Sequence, residues 1–183
     1  GTITNDDSAQ ISIAANVTQA ENLTPQSFSV TISNLVDVPV TVQFSTSDGT
    51  AMTSDNDYTG ITNQVVTFPS GTTSSQTVNV SISNDNKVET NEVYNVALSA
   101  LNASGRNVTL GTSTRTGTIT NDDAAVVTLT GTQSLPEGNS GTTPFIFNAT
   151  LNNPVQGGFT VAYTTNDGTA TTAGNDYVDN DAS

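Results

Sequence analysis

Apolar and polar residues alternate along most of this chain with a period of two. Ile11 and Ile13 begin the pattern; Phe28, Val30 and Ile32 continue it, followed by Val40, Val42 and Phe44. Val66 and Phe68 come next, then Val78, Val80 and Ile82, then Tyr94, Val96 and Leu98, and a seventh segment runs from Val108 to Thr120. Such alternation lines the two faces of half-buried strands, and the Gly, Pro, Asn and Asp between segments predict turns. No stretch carries a sustained helical period. Seven short strands within residues 8–123 suit an all-β fold, an immunoglobulin-like seven-stranded antiparallel β-sandwich. Val108 and Leu110 share one parity and Ile119 has the other, so a bulge or break is expected inside the seventh segment. The row Thr112, Thr114, Thr116, Thr118 and Thr120 on that segment reads as a solvated, β-favouring face.

The pattern is repeated. GTITNDD occurs at residues 1–7 and at 117–123, SDGTA at 47–51 matches NDGTA at 166–170, and NDYTG at 56–60 matches NDYVD at 175–179. The first offset is 116 residues and the other two are 119, which places a three-residue insertion in the loop that reads AENLTPQS at 20–27 and PEGNSGTTPFI at 136–146. Loops of folded domains accept such insertions. Residues 1–7 are therefore expected to be the last strand of a preceding repeat, residues 8–123 a complete domain, and residues 124–183 the N-terminal half of a following one. The half-copy would leave sheet edges and core unfinished, and the chain is expected to be a stretch of a longer tandem array and to be monomeric.

Charge changes the picture. Seventeen acids face three cations, Lys87, Arg106 and Arg115, for a formal net charge of −14. Nucleic acid and anionic membrane both call for basic surfaces, so neither is an expected partner. Direct membrane insertion is not expected either, because the apolar runs fall far short of the roughly 20 residues a spanning helix needs. No charged n-region with an apolar h-region opens the chain, an absence that carries no weight in a stretch of a longer protein. There is no Cys and no His, which removes thiolate and imidazole chemistry together with any Ser/His/Asp or Cys/His catalytic site. Paired carboxylates can hydrolyse glycosides but need a cleft holding one acid protonated, so no enzyme is expected. The six N-x-S/T triplets match chance, given 21 Asn and 53 Ser plus Thr, and are not evidence of glycosylation.

The acids are not scattered. If each strand reverses direction, the turns after the first, third and fifth segments share one end of the sandwich with the exit from the seventh. Glu21, Asp48, Asp55, Asp57, Asp85, Glu89, Glu92, Asp122 and Asp123 all fall at that end, and only Asp37 falls at the other. Clustered carboxylates repel unless a cation intervenes. Calcium accepts six to eight oxygens in irregular geometry; magnesium is more demanding, and zinc or copper would want His or Cys. The alternative is that Asp and Asn simply favour turns. That alternative explains Asp48, within a turn-like DG, better than metal binding does, and explains Glu21, Glu89 and Glu92 badly.

DGTA at 48–51, NDY at 56–58, VVTFPSG at 65–71, VNVSISNDNKVETNEVYNVAL at 78–98 and the closing GTITNDD together resemble the Calx-beta family. That family was first recognised in sodium/calcium exchangers and is abundant as tandem repeats in large bacterial surface proteins. The resemblance covers residues 8–123 and, as a first half, 124–183. It implies calcium ligands at Glu21, Asp57, Asp85, Glu89, Asp122 and Asp123. Asn84 and Asn121 stand where the exchanger pattern has Asp; each swap removes a charge but keeps an oxygen, so fewer ions or weaker binding would follow. Glu137 and Asp176 would form a partial second site, while Asp6 and Asp7, lacking their own domain, would be poor ligands.

Function is then expected to be structural. Tandem sandwiches stiffened by calcium at the Asp122–Ala124 junction would form an adhesin-like stalk of a secreted, extracellular cell-surface protein. Partners would be neighbouring repeats of the same chain, calcium, and a host or surface ligand bound through other domains. The alternative is an adhesin module that itself recognises a glycan or protein ligand, although aromatics are only 5% of the chain.

Overall fold

The computed structural model describes residues 1–2 and 4–181. They fall into two compact units, Gly1–Ala124 and Ala125–Ser183. Ile3, within the first GTITNDD copy, lies outside the described residues.

The first unit is all-β and immunoglobulin-like. Its strands are β1 (Ala9–Ile13), β2 (Val17–Ala20), β3 (Gln26–Ile32), β4 (Val40–Ser47), β5 (Gln64–Phe68), β6 (Gln76–Val80), β7 (Glu92–Asn102), β8 (Val108–Leu110) and β9 (Thr114–Thr120). One sheet has the order β6-β3-β1-β8 and the other β2-β9-β7-β4-β5. Nine strands replace the expected seven because the first and seventh segments each break and change sheet. Their first pieces pair parallel in one sheet (Ala9↔Val108) and their second pieces parallel in the other (Ala20↔Thr120). The parity change between Leu110 and Ile119 is this crossing between sheets.

The alternating residues fill the space between the sheets. Phe28, Val30, Val40, Val42, Phe44, Phe68, Val80, Tyr94 and Val96 are all fully or almost fully buried. Each such side chain contributes about 1.5–3 kcal/mol relative to exposure. Tyr94 is central. Its ring stacks on Tyr58 at 4.4 Å and meets Phe28 edge-on at 6.2 Å. Its buried hydroxyl donates to Gln26 Oε1 at 2.8 Å, and Gln26 Nε2 donates to the Thr118 carbonyl at 2.8 Å, so the Tyr94 hydroxyl and the Gln26 amide are both partnered. Gly117 of GTITNDD makes room for that ring: a Cβ there would lie 2.3 Å from Tyr94 Cζ.

The second unit is described by itself. β10 (Val127–Thr130) pairs antiparallel with β11 (Asn148–Leu151), with Val127 opposite Leu151 as Ile11 is opposite Ile32. The repeat thus keeps its register. The core positions of the first unit recur, but Phe147, the counterpart of fully buried Phe28, is 52% exposed, and Val161 and Tyr163 are exposed as well. Among the described residues no helix is long and apolar enough to cross a membrane.

Gly117→Ala should lower the stability of the first unit by about 1–3 kcal/mol, the usual effect of overpacking. Urea denaturation followed by tyrosine fluorescence measures it; an unchanged midpoint would show that Tyr94 yields freely.

Candidate metal centre

The registers decide which turns share an end. Ser47 lies opposite Asn95, Glu92 opposite Ile119, Ala20 beside Thr120, and Gln26 opposite Val80. The ends of β2, β4, β6 and β9 and the starts of β3 and β7 therefore meet at one edge of the sandwich. Two carboxylate groups form there. In each, one ligand oxygen per residue lies within 4.8 Å of the others: Glu21 with Asp122 and Asp123, and Asp57 with Glu89 and Glu92.

The first group depends on the parallel pairing of β2 and β9. Both strands run toward the same end, and the Glu21 amide continues the ladder by donating to the Thr120 carbonyl at 3.2 Å. The Glu21 side chain is buried, and its Oε1 has no hydrogen-bond partner; neither has the buried Oδ2 of Asp123. Burial pushes the Glu21 carboxyl up to about 8, helped by a hydrogen bond to Asp123 and by the charges of Asp123, Asp85 and Asp122. Two buried carboxylate oxygens without a hydrogen-bond partner, on residues whose carboxylates lie within 4.8 Å of each other, make a place that favours a cation. The donors are all oxygen and the group carries up to three negative charges, which suits a hard divalent ion such as calcium.

The second group is held by the loop after β4. Asp57 Oδ2 accepts from the Met52 amide at 2.7 Å, and the Asp57 carbonyl accepts from the Ser83 amide at 3.0 Å. Glu89 is placed by Asn121, whose Oδ1 accepts from the Glu89 amide at 2.8 Å. Glu89 pairs with the Lys87 ammonium, whose affinity for its proton rises through that bond and through the charges of Glu89, Asp55 and Asp57. An ion entering this group competes with Lys87. The contrast with the other end is plain: Asp37 is neutralised by Arg106 through bonds of 2.6 and 2.9 Å.

The structure distributes the expected ligands unevenly. Glu21, Asp57, Glu89, Asp122 and Asp123 enter the two groups. Asp85 joins neither; its Oδ1 accepts from the Lys87 amide at 2.7 Å, and its charge acts on Glu21. Asn121 ties loops together, its Nδ2 also donating to the Asp123 carbonyl at 2.9 Å. Asn84 is exposed. Glu92 was not among the expected ligands. It shares parity with Tyr94, Val96 and Leu98, so it faces inward at the mouth of the core, and that alternation was the signal for it. In the second unit Glu137 is exposed and Asp176 Oδ2 accepts from the Thr171 amide at 2.9 Å; among the described residues neither belongs to a carboxylate group. The same holds for Asp6 and Asp7.

The Calx-beta domain family model matches residues 5–124 and again 120–183. The chain belongs to the Calx-beta domain family. Among solved structures it is similar to the apo-form Calx CBD1 domain, with 22% identity and a TM-score of 0.56, over 63% of this chain and 98% of that one. It is also similar to CBD12 from CALX1.2, with 22% identity and a TM-score of 0.55, and to the calcium binding domain CBD12 of CALX1.1, with the same identity and score. This chain spans 44% and 45% of those two, less than half their length. At such identities the likeness concerns the fold. A comparison with curated proteins yields no match.

The raised Glu21 carboxyl has a consequence for the ion-free Calx-beta domain. Between the ordinary glutamate value of 4.5 and about 8, the folded state keeps a proton that the unfolded chain releases. Stability from this group is present at low pH and is lost as pH rises through about 8. In chelator, the melting temperature should fall by a few degrees from about pH 5 to about pH 8.5, and Glu21→Gln should flatten that slope. Parallel slopes for the two proteins would contradict the burial of Glu21 among the acids.

Proposed function

We propose that this chain is a calcium-binding structural repeat of a long, secreted cell-surface protein, with calcium stiffening the junction between repeats. The observation that carries the reading is the pair of buried, partnerless oxygens on Glu21 and Asp123, one residue before Ala124, where the first unit ends. Asp122 and Asp123 are the last acids before the chain passes on. An ion bound to them and to Glu21 ties the exit of β9 to the turn after β2, and so fixes the direction in which the backbone leaves. Membership of the Calx-beta family supports the choice of calcium, as does a similar solved structure described as a calcium binding domain. The second group would hold a further ion, more weakly because Lys87 must first be displaced from Glu89.

The stalk-like role rests on the internal repetition, in which motifs recur at offsets of 116 and 119 residues. Scarce Lys and an abundance of Thr, Ser and Asn favour an extracellular setting for it. The repeat's partners are then calcium and its own neighbours in the chain, with any host or surface ligand bound by other domains.

Because the ion binds the folded state alone, calcium at a hundred times its dissociation constant should add about 2.7 kcal/mol of stability. Differential scanning calorimetry with calcium and with chelator reads this as a rise in melting temperature of several degrees. Small-angle scattering of a chain extended to two complete repeats should show a longer maximum dimension with calcium. An unchanged melting temperature would remove the calcium reading; a rise without any change in dimension would keep the ion and remove the stiffening.

A further inference from the structure

Asp48 belongs to neither carboxylate group, yet it organises the loop that presents Asp57. Its Oδ1 accepts from the Thr53 amide at 3.1 Å and from the Tyr58 hydroxyl at 2.7 Å, and its Oδ2 accepts from the Thr53 hydroxyl at 3.2 Å. The Tyr58 ring is buried and stacked on Tyr94, so the core itself anchors this clamp. Asn56 takes the left-handed backbone that Asn tolerates, with φ of 66°, and the chain turns back so that the Asp57 carboxylate receives the Met52 amide. Gly49 lets the loop lie on the start of β7, since a Cβ there would be 2.4 Å from the Val93 carbonyl oxygen. The Ala51 amide donates to that same carbonyl at 2.9 Å, and the Val93 amide donates to Thr50 Oγ1 at 2.8 Å. Val93 follows Glu92 directly. The loop is thus sewn down next to the carboxylate that Asp57 must meet.

The second unit repeats the arrangement. Asp167 Oδ1 accepts from the Thr172 amide at 2.9 Å and from the Tyr177 hydroxyl at 2.8 Å, Asn175 has φ of 56°, and Asp176 receives the Thr171 amide at 2.9 Å. Every one of these residues lies 119 positions after its counterpart. The same hydrogen bonds and the same left-handed turn recur there although Asp176 belongs to no carboxylate group among the described residues, so the clamp does not depend on neighbouring acids.

We propose that Asp48 is a positioning residue for the metal ligand Asp57, and that Asp167 shapes the matching loop around Asp176 in the second unit. Through Thr53 and Tyr58, Asp48 holds the loop in the one shape that leaves an Asp57 oxygen turned to Glu89 and Glu92. Asp48 is not itself a ligand. The inference rests on the calcium reading above. It explains DGTA and NDY as one device: the first Asp shapes the loop and the second binds.

The test compares Asp48→Ala and Asp48→Asn in the full chain by calcium calorimetry and by hydrogen exchange of the ion-free protein. Outer partners that orient a ligand are worth about 10–100-fold in metal affinity. Asp48→Ala should weaken binding at the Asp57 group by that factor and leave the Glu21 group unchanged, which also reports that the domain is folded. Asp48→Asn keeps an oxygen to accept from Thr53 and should restore most of the affinity. Without any ion, the Met52 amide, which donates to the Asp57 carboxylate, should exchange at least tenfold faster in Asp48→Ala and near the wild-type rate in Asp48→Asn. Tyr58→Phe, which removes one clamp bond and keeps the ring, should fall between them. Equal losses in Ala and Asn variants would make Asp48 a source of charge or a ligand and overturn the proposal, as would unchanged Met52 exchange. Wild-type protein that binds no calcium, with Met52 exchange still governed by Asp48, would overturn the calcium reading and leave the clamp without a ligand to position.

Discussion

Two strands running side by side in the same direction, β2 and β9, bring the buried Glu21 carboxylate together with those of half-buried Asp123 and exposed Asp122. The ladder pairs Ala20 with Thr120, and the next residues along are Glu21 on one strand and Asn121, Asp122 and Asp123 on the other. Desolvation and mutual repulsion both oppose ionisation there, which is why Glu21 holds a proton that a solvated glutamate would release. The strand pairing that completes the sandwich is therefore the same pairing that creates an unmet demand for positive charge. A divalent cation meets that demand with oxygen donors already in place. The three cations are engaged elsewhere: Arg106 binds Asp37 in a bidentate pair, Lys87 pairs with Glu89 in the other carboxylate group, and Arg115 donates to the Ala14 carbonyl at 3.4 Å.

The rest of the acidic end is arranged around that demand. Asn121 spans the loops by accepting from the Glu89 amide and donating to the Asp123 carbonyl, so the two carboxylate groups share a structural tie. As an amide, Asn121 supplies both a donor and an acceptor without adding a charge. The loop from Asp48 to Tyr58 is stiffened from beneath by the Tyr58–Tyr94 stack. That stack joins the acidic end to the Gln26–Thr118 bond, and Gly117, one residue before Thr118, leaves space for the ring. GTITNDD is thus a packing element for its first four residues and a cation-seeking element for its last two.

Much of this was legible in the sequence, for reasons that particular residues make clear. The core followed from alternation, because Phe28, Val30, Phe44, Tyr94 and Val96 each face inward in strands whose period is two. The acidic end followed from counting reversals, and survived an error in the strand count. The breaks that divide the first and seventh segments shift them between sheets without reversing them, so each turn stays at its expected end. The change of sheet itself was only half visible: the parity shift before Ile119 signalled it, while nothing in QISIAANVTQA marks Ala14–Asn16 as the crossing. Glu92 reads from the sequence as part of a turn, although its parity with Tyr94 places it on the core side of β7, where it joins the carboxylates of Asp57 and Glu89. Asp48 reads from the sequence as a turn residue, and its bond to Tyr58, ten residues on, needs the fold to be seen.

The most direct measurement is anomalous diffraction from crystals of this chain grown with calcium, repeated after exchange for terbium. An anomalous peak bounded by the carboxylates of Glu21, Asp122 and Asp123, with oxygen distances of about 2.3–2.6 Å, is the predicted result. Well-ordered density for those three side chains with no peak between them, at a calcium concentration that saturates any binding seen in solution, would contradict it.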